Sequence, residues 1–241
     1  MIPKIVHYCW FGRGKKNRMV RACMLSWKKH LPDYEFREWN EDLFDVEALA
    51  YTAEAYRMRK YAFVADVARL HALYQFGGLY LDTDVEMLRS FDPFLVHRAV
   101  CGFESGCRLN TGLLAAQKGS EWVKQNLDRY ADRHFILSGG APDLTPNVDS
   151  IMAETALHVP IRYDDSYQDF PNYLTVYPRD YFSPMDWQTK VSELTPRTVC
   201  IHHYTASWKK RSGLCLRLMK RLMRFCSPLR AHLSNLWHKS R

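Results

Sequence analysis

Apolar positions along the chain fall into short runs broken by glycine, proline or charged residues. Residues 2–12, IPKIVHYCWFG, are apolar and aromatic-rich and close on Gly12, which predicts an opening strand. Met19, Val20, Cys23, Met24 and Trp27 recur at helical spacing, so 17–31 reads as a helix stopped by Pro32. In 34–39, YEFREW, apolar and charged residues alternate, a second strand. This β-α-β order is the unit of a sheet with crossover helices. The segment 60–76, KYAFVADVARLHALYQF, is Ala-rich and apolar on most faces, which predicts a buried helix ended by Gly77 and Gly78. Leu79, Tyr80 and Leu81 follow as a short buried strand that runs into Asp82 and Asp84. Strands are further expected at 98–103, 109–116 and 198–204, and helices near 120–131 and over 148–158. A Gly/Pro-rich loop covers 138–147. The fold class is α/β.

Composition agrees with a folded body and relocates the charge. Of 241 residues, 47% are hydrophobic and 25% charged, enough to build a core and unlike a disordered chain. The formal charge of +8 suggests nucleic acid until it is placed: ten of the 34 Lys and Arg lie in 209–241, which has no Asp or Glu, leaving 24 basic against 26 acidic residues in the body. A phosphate-tracking surface belongs on the folded body, so no nucleic-acid partner is expected. Within the tail, Arg217, Lys220, Arg221 and Arg224 form one helical stripe beside a wide apolar arc, the pattern of a helix lying on an anionic membrane surface. Seven cysteines without a C-x-x-C spacing point to reduced thiols and a cytoplasmic setting. The start of the chain carries no signal-peptide pattern, and no run reaches the roughly eighteen apolar residues of a membrane span.

Asp82 and Asp84, one residue apart where a strand opens into a loop, can both face a hard divalent cation such as Mn²⁺ or Mg²⁺, which completes its shell with water and phosphate oxygens. A bare D-x-D pattern is equally the mark of a solvated strand end. Asp66 and Arg69, three apart on the buried helix, share a face and either pair with each other or with Arg57 or Arg59 nearby, or hold a ligand hydroxyl or phosphate. Trp10 ends the first strand and either packs or stacks on a planar base. Asn110 precedes the small-residue stretch TGLLAA, with Gly112 permitting close backbone approach. In 201–210, IHHYTASWKK, His202 and His203 point to opposite faces if the strand continues, so one of them can join a given metal shell.

The stretches IPKIVHYCWFG, SWKKHLPDYEFREWNED, KYAFVADVARLHALYQFGGLYLDTDVEML, NTGLL and IHHYTASW, in order from residue 2 to 208, resemble the DXD-containing sugar transferases of glycosyltransferase family 32, which include bacterial capsular and lipopolysaccharide transferases. The chain is more distantly similar to the large clostridial glucosylating toxins. The resemblance implies a GT-A fold over 1–208, a Rossmann-like mixed sheet flanked by helices, with 209–241 as a basic amphipathic tail. It implies a nucleotide sugar bound through a divalent ion and retention at the anomeric carbon. By the same resemblance Trp10 stacks on the base, Asp66 and Arg69 hold ribose and sugar hydroxyls, and Tyr80 joins the nucleotide-sugar site. Asp82 touches sugar and metal, Asp84 is the principal metal ligand, and His203, next to Tyr204, completes the metal set. Asn110 faces the transferred sugar, Ser207 and Trp208 close over the diphosphate, and Lys209 neutralises it. Asp82, Asp84 and Asn110 are the catalytic candidates. Ala65 stands where the toxins carry a serine, and the added helical subdomain of the toxins has no counterpart here.

The expected activity is therefore metal-dependent transfer of a hexose from a UDP- or GDP-sugar to a saccharide acceptor, lipid-linked, in capsule or lipopolysaccharide synthesis. The expected location is the cytoplasmic face of a bacterial cell membrane. The alternative, a metal-dependent phosphodiesterase or nucleotide hydrolase, would call for the richer His and Asp set of a two-metal clamp.

Overall fold

The computed structural model describes residues 1–205, which form one unit. Expected features beyond them, the loop residues Ser207, Trp208 and Lys209 and the basic tail 209–241, lie outside the described residues. The chain runs β1 (Ile5–Cys9), α1 (Arg18–His30), β2 (Glu35–Trp39), α2 (Ala50–Arg57), α3 (Tyr61–Phe76), β3 (Gly78–Leu81), β4 (Val85–Met87), β5 (Ala99–Glu104), β6 (Arg108–Leu109), β7 (Leu113–Ala116), α4 (Glu121–Asp128), α5 (Asn147–His158), β8 (Gln168–Phe170), β9 (Leu174–Tyr177), α6 (Arg179–Phe182) and β10 (Cys200–His202). The main sheet has the order β2-β1-β3-β7-β5-β9-β8, with β6 paired to β5, while β4 and β10 form a separate two-stranded ribbon. It is a mixed sheet: β1 is parallel to both β2 and β3, and β5 to β9, whereas β7 is antiparallel to β3 and β5.

Side-chain alternation splits the core into two layers around this sheet. Tyr80, Leu114, Ala116, Cys101 and Phe103 pack with α3, α4 and α5 on one face. Leu79, Leu81, Leu113, Ala115 and Val100 pack with Trp27 of α1 and with the β4–β10 ribbon on the other. The α/β expectation holds, with helices on both faces. The near-continuous apolar strands follow, since each is buried on both sides.

Several expected elements need trimming. The run 109–116 is broken at Asn110–Gly112 into β6 and β7, because Asn110 N donates to the Gly102 carbonyl and Gly112 N to Asn110 Oδ1. Helix α4 ends at Asp128, and the opening strand is confined to Ile5–Cys9. Sequence patterning passed over α2, β4, β8, β9 and α6, all eight residues or shorter.

The delivery of β3 into the sheet depends on two glycines. Gly77 (φ +67°) ends α3, with its N–H on the Leu73 carbonyl, and Gly78 has φ +115°. A Cβ at Gly78 would sit 2.5 Å from the Ile5 carbonyl, so only glycine lets β3 lie this close to β1. His7 fixes the same turn. Trp39 Nε1–H donates to His7 Nδ1 (3.0 Å), which leaves Nε2–H to donate to the Gly77 carbonyl (2.8 Å).

Candidate active site

Strand β3 ends at Leu81, and the next three residues turn: Asp82 N donates to the Gly112 carbonyl (2.8 Å), and Val85 N to the Asp82 carbonyl (2.9 Å). Asp82 keeps the parity of Tyr80 and faces α3. There Tyr80 Oη donates to Asp82 Oδ1 at 2.8 Å, and Arg69 Nη2 lies 3.4 Å from the same oxygen. Arg69 is nearly buried and also reaches Asp66 Oδ1 (2.9 Å) and the Thr111 carbonyl (2.5 Å), with its guanidinium 4.7 Å over the Tyr80 ring. The Asp66–Arg69 pair expected on one helix face is therefore real, and it is also joined to Asp82. Burial pushes the Asp66 carboxyl up to about 6, against the opposing pull of Arg69, and a nearby Asn147 amide favours its charged form.

Asp84 turns to the opposite layer. Its Oδ2 accepts from the Thr205 N–H and hydroxyl, both at 2.7 Å, and Oδ1 lies 3.3 Å from His202 Nε2. Burial alone would raise its carboxyl, but His202 and Thr205 overcome that and hold it well below the usual carboxylate range. Burial lowers and the surrounding Asp84, Asp82 and Glu104 raise the pKa of His202, and the carboxylates win. Asp82 Oδ2 is 3.9 Å from His202 Nε2. Among the described residues Asp82, Asp84 and His202 form a group whose donor atoms all lie within 4.8 Å of one another. Two carboxylates and an imidazole suit a divalent cation with open positions for water and substrate oxygens. The same negative potential that favours a proton on His202 would hold such a cation. The buried His202 Nδ1 lacks a partner.

His203, the imidazole expected in the metal set, is elsewhere. The antiparallel β4–β10 register sets His202 opposite Val85 and Ile201 opposite Glu86. His202 therefore lies on the buried face with Cys200, while His203 lies with Glu86, its Nε2 2.9 Å from Glu86 Oε2. The imidazole of the cluster is His202. Close approach of its ring requires Gly112, where a Cβ would come within 2.7 Å of it.

The other candidates surround this centre to different degrees. Asn110 is fully buried, its Oδ1 held by Gly112 N and its Nδ2 without a partner. Trp10 stands at the carboxyl end of β1, half-buried, with Nε1 on the Gly14 carbonyl (2.6 Å) and the Lys16 ammonium 5.4 Å from its ring. With Arg13, Glu38 and Asn40 it lines a cleft of about 210 Å³ that takes in none of the three cluster residues. Cys9, the residue before it, lies within electrostatic range of Asp82 and Arg69, so cleft and cluster share one end of the sheet.

Sequence reasoning named Tyr204 only as the neighbour of His203 and missed the ring of residues it belongs to. Tyr204, in the left-handed region at φ +48°, stacks on His202 at 4.0 Å, donates to Glu104 Oε2 (3.2 Å) and meets Ser183 Oγ at 2.6 Å. Glu104 is buried and held by Arg108 (3.0 Å), which also reaches Asp149 on α5 (3.2 Å). The lone sign in the sequence was the His-Tyr pair; Glu104, Arg108 and Asn147 carry no local signature.

Fold and site thus define a class: an α/β protein whose mixed sheet presents an Asp-x-Asp turn, a histidine and a buried Asp–Arg pair at one sheet end. Residues 17–101, about a third of the chain, match the family model described as the glycosyltransferase sugar-binding region containing a DXD motif. Over 142 residues the chain is 32% identical to inositol phosphoceramide mannosyltransferase 3 of Schizosaccharomyces pombe, an alignment covering 56% of this chain and 40% of that protein. The chain thus spans about two fifths of the length of that curated relative. Among solved structures it is similar to the PaToxG glycosyltransferase (16% identity, 66% and 70% of the two chains, TM-score 0.48). It is also similar to a glycosyltransferase involved in glycosylation of the major capsid of PBCV-1 (13% identity, 85% and 95%, TM-score 0.47).

Proposed function

We propose that this chain is a metal-dependent glycosyltransferase of GT-A type that moves a hexose from a nucleotide diphosphate sugar to a saccharide acceptor. The observation that carries the reading is the Asp82–Asp84–His202 cluster, joined through Asp82 to the Arg69–Asp66 pair. The DXD family match over 17–101 and the mannosyltransferase relative support sugar transfer, and the relative's name makes mannose the first sugar to try. A bound Mn²⁺ or Mg²⁺ would supply Lewis-acid stabilisation of the departing diphosphate. The chain's own contribution is positional. Tyr80 and Arg69 orient Asp82, Thr205 and His202 orient Asp84, and donors fixed before the reaction cost no reorganisation as charge develops. Arg69 and Asp66 receive ribose or sugar hydroxyls, Asn110 faces the sugar, and the exposed edge of Trp10 takes the base. Retention is what the resemblance to family 32 implies. On that reading the hexose is transferred on one face, the bond from its anomeric carbon to the diphosphate breaking as the bond to the acceptor oxygen forms, with the diphosphate taking the acceptor proton.

The two-metal phosphodiesterase alternative gains nothing from the geometry, since among the described residues one group of this kind occurs. Synthesis of a surface polysaccharide or lipopolysaccharide on a lipid-linked acceptor, at the inner face of a bacterial membrane, is the setting in which the basic tail 209–241 has a use.

The test is binding and slow hydrolysis across UDP- and GDP-sugars, GDP-mannose included, with Mn²⁺, Mg²⁺ or EDTA, for wild type and Asp84→Ala. Consumption of one donor that requires metal and disappears in Asp84→Ala is the expected result, with the product anomer retained by NMR. Binding indifferent to both metal and Asp84 would reduce Asp82 and Asp84 to a solvated strand end.

A further inference from the structure

One of the buried polar groups that the chemistry above leaves unused lies beside Asp66. Asn147 opens α5 and is over nine-tenths buried. Its Oδ1 accepts from Tyr130 Oη at 3.3 Å, which fixes the amide so that Nδ2 points the other way. That Nδ2 is close enough to Asp66 to favour its charged form, yet it falls short of hydrogen-bond geometry and has no partner. A buried N–H₂ without an acceptor costs about 1–3 kcal/mol, so such a group persists where something else satisfies it. Beside it sit a carboxylate that accepts, Asp66, and the N-terminal turn of α5, whose dipole favours electron-rich oxygen. The ligand atom that fits between an amide donor and a carboxylate acceptor is a hydroxyl: its oxygen accepts from Asn147 Nδ2 and its proton goes to Asp66.

We propose that Asn147 and Asp66 together read a single secondary hydroxyl of the transferred hexose, making Asn147 a donor-sugar specificity residue on α5. The inference rests on the glycosyltransferase reading of the same site and adds to it. Arg69 ties Asp66 to Asp82, so the hydroxyl is gripped on a scaffold that also orients the cation site. The Arg108–Asp149 ion pair anchors the first turn of α5 to the strand end that carries Glu104. Recognition by a donor-acceptor pair discriminates strongly against a sugar that lacks the hydroxyl, since both buried groups are then left unpaired.

The experiment measures dissociation constants with Mn²⁺ for GDP, UDP, GDP-mannose, UDP-glucose and UDP-galactose, on wild type, Asn147→Ala and Asn147→Asp. The near-isosteric Asn147→Asp keeps the side-chain shape but puts a second acceptor where a donor is needed. The parent nucleoside diphosphate serves as the control for folding and for the metal site. Expected is an affinity for that diphosphate within about twofold of wild type in both variants, and a loss of about tenfold or more for the preferred sugar nucleotide. A monodeoxy series of that donor should contain one position whose removal costs wild type about tenfold or more and costs Asn147→Ala clearly less, the remainder being the bond to Asp66. Equal weakening of diphosphate and sugar nucleotide makes Asn147 a structural residue and overturns the inference while leaving the transferase reading intact. Unchanged sugar-nucleotide binding overturns it likewise. Failure of wild type to bind any diphosphate with Mn²⁺ overturns both.

Discussion

His202 and His203 are chemically identical neighbours whose roles are divided by one strand register. His202 contributes Nε2 to Asp84, while His203 is committed to Glu86. We expect His202→Gln to weaken Mn²⁺ binding by at least about tenfold, the scale on which metal sites respond to loss of their ordering partners, and His203→Gln to change it by less than about twofold. Titration calorimetry or Mn²⁺ EPR distinguishes the two, and a reversed order would place the wrong imidazole in the cluster. Asp84 needs its neighbours in the same way. Its ionised state survives burial because Thr205 and His202 oppose the cost of desolvation. Asp82 and Asp84 were legible in the sequence as a pair of carboxylates after an apolar strand. Their separation into two layers, one on Arg69 and Tyr80, the other on His202 and Thr205, was not legible, because it arises in a turn whose direction no periodicity encodes.

Among the elements, β3 is the one the site depends on, and its placement rests on a buried imidazole two strands' reach from the chemistry. His7 is fully buried between Trp39 and the Gly77 carbonyl, and burial pulls its pKa down to about 4. The folded state therefore keeps His7 neutral where the unfolded chain, with an ordinary value near 6.5, takes up a proton. Its contribution is fully present above about pH 6.5 and is lost as pH falls from there towards 4, about 3 kcal/mol in all. Asp66, raised to about 6, works in the other direction, its contribution being lost as pH rises through that value. An NMR titration of the His7 ring separates the two: no protonation above about pH 5 is expected, and an ordinary midpoint near 6.5 would mean that the turn into β3 is not built this way. The helix α3 could be read from the sequence as a long apolar run stopped by glycine, and the strand after it as a short apolar run between those glycines and Asp82. The hydrogen bonds that lock their junction come from β1 and β2, some 40 to 70 positions earlier in the chain.

On the scale of the whole molecule, the charge is split between a body near neutrality and a strongly basic tail. Among the described residues no helix is long and apolar enough to cross a membrane. Removal of 209–241 is expected to abolish sedimentation with liposomes rich in anionic lipid while leaving Mn²⁺ and nucleotide binding unchanged, and retained sedimentation would locate the membrane contact in the body. By itself the sequence determined the α/β class, the buried helix α3, the strand pointed at Asp82 and Asp84, and the Asp66–Arg69 pair. Each of these is written in spacing along one stretch, where periodicity and short-range geometry suffice. The tertiary structure alone decided that β7 enters antiparallel beside β3, that the β4–β10 ribbon presents His202 rather than His203, and that Asn147 and Glu104 stand at the same sheet end. Those facts depend on pairing between segments far apart in the chain, and in a strand a shift of one residue reverses which side chain faces the site.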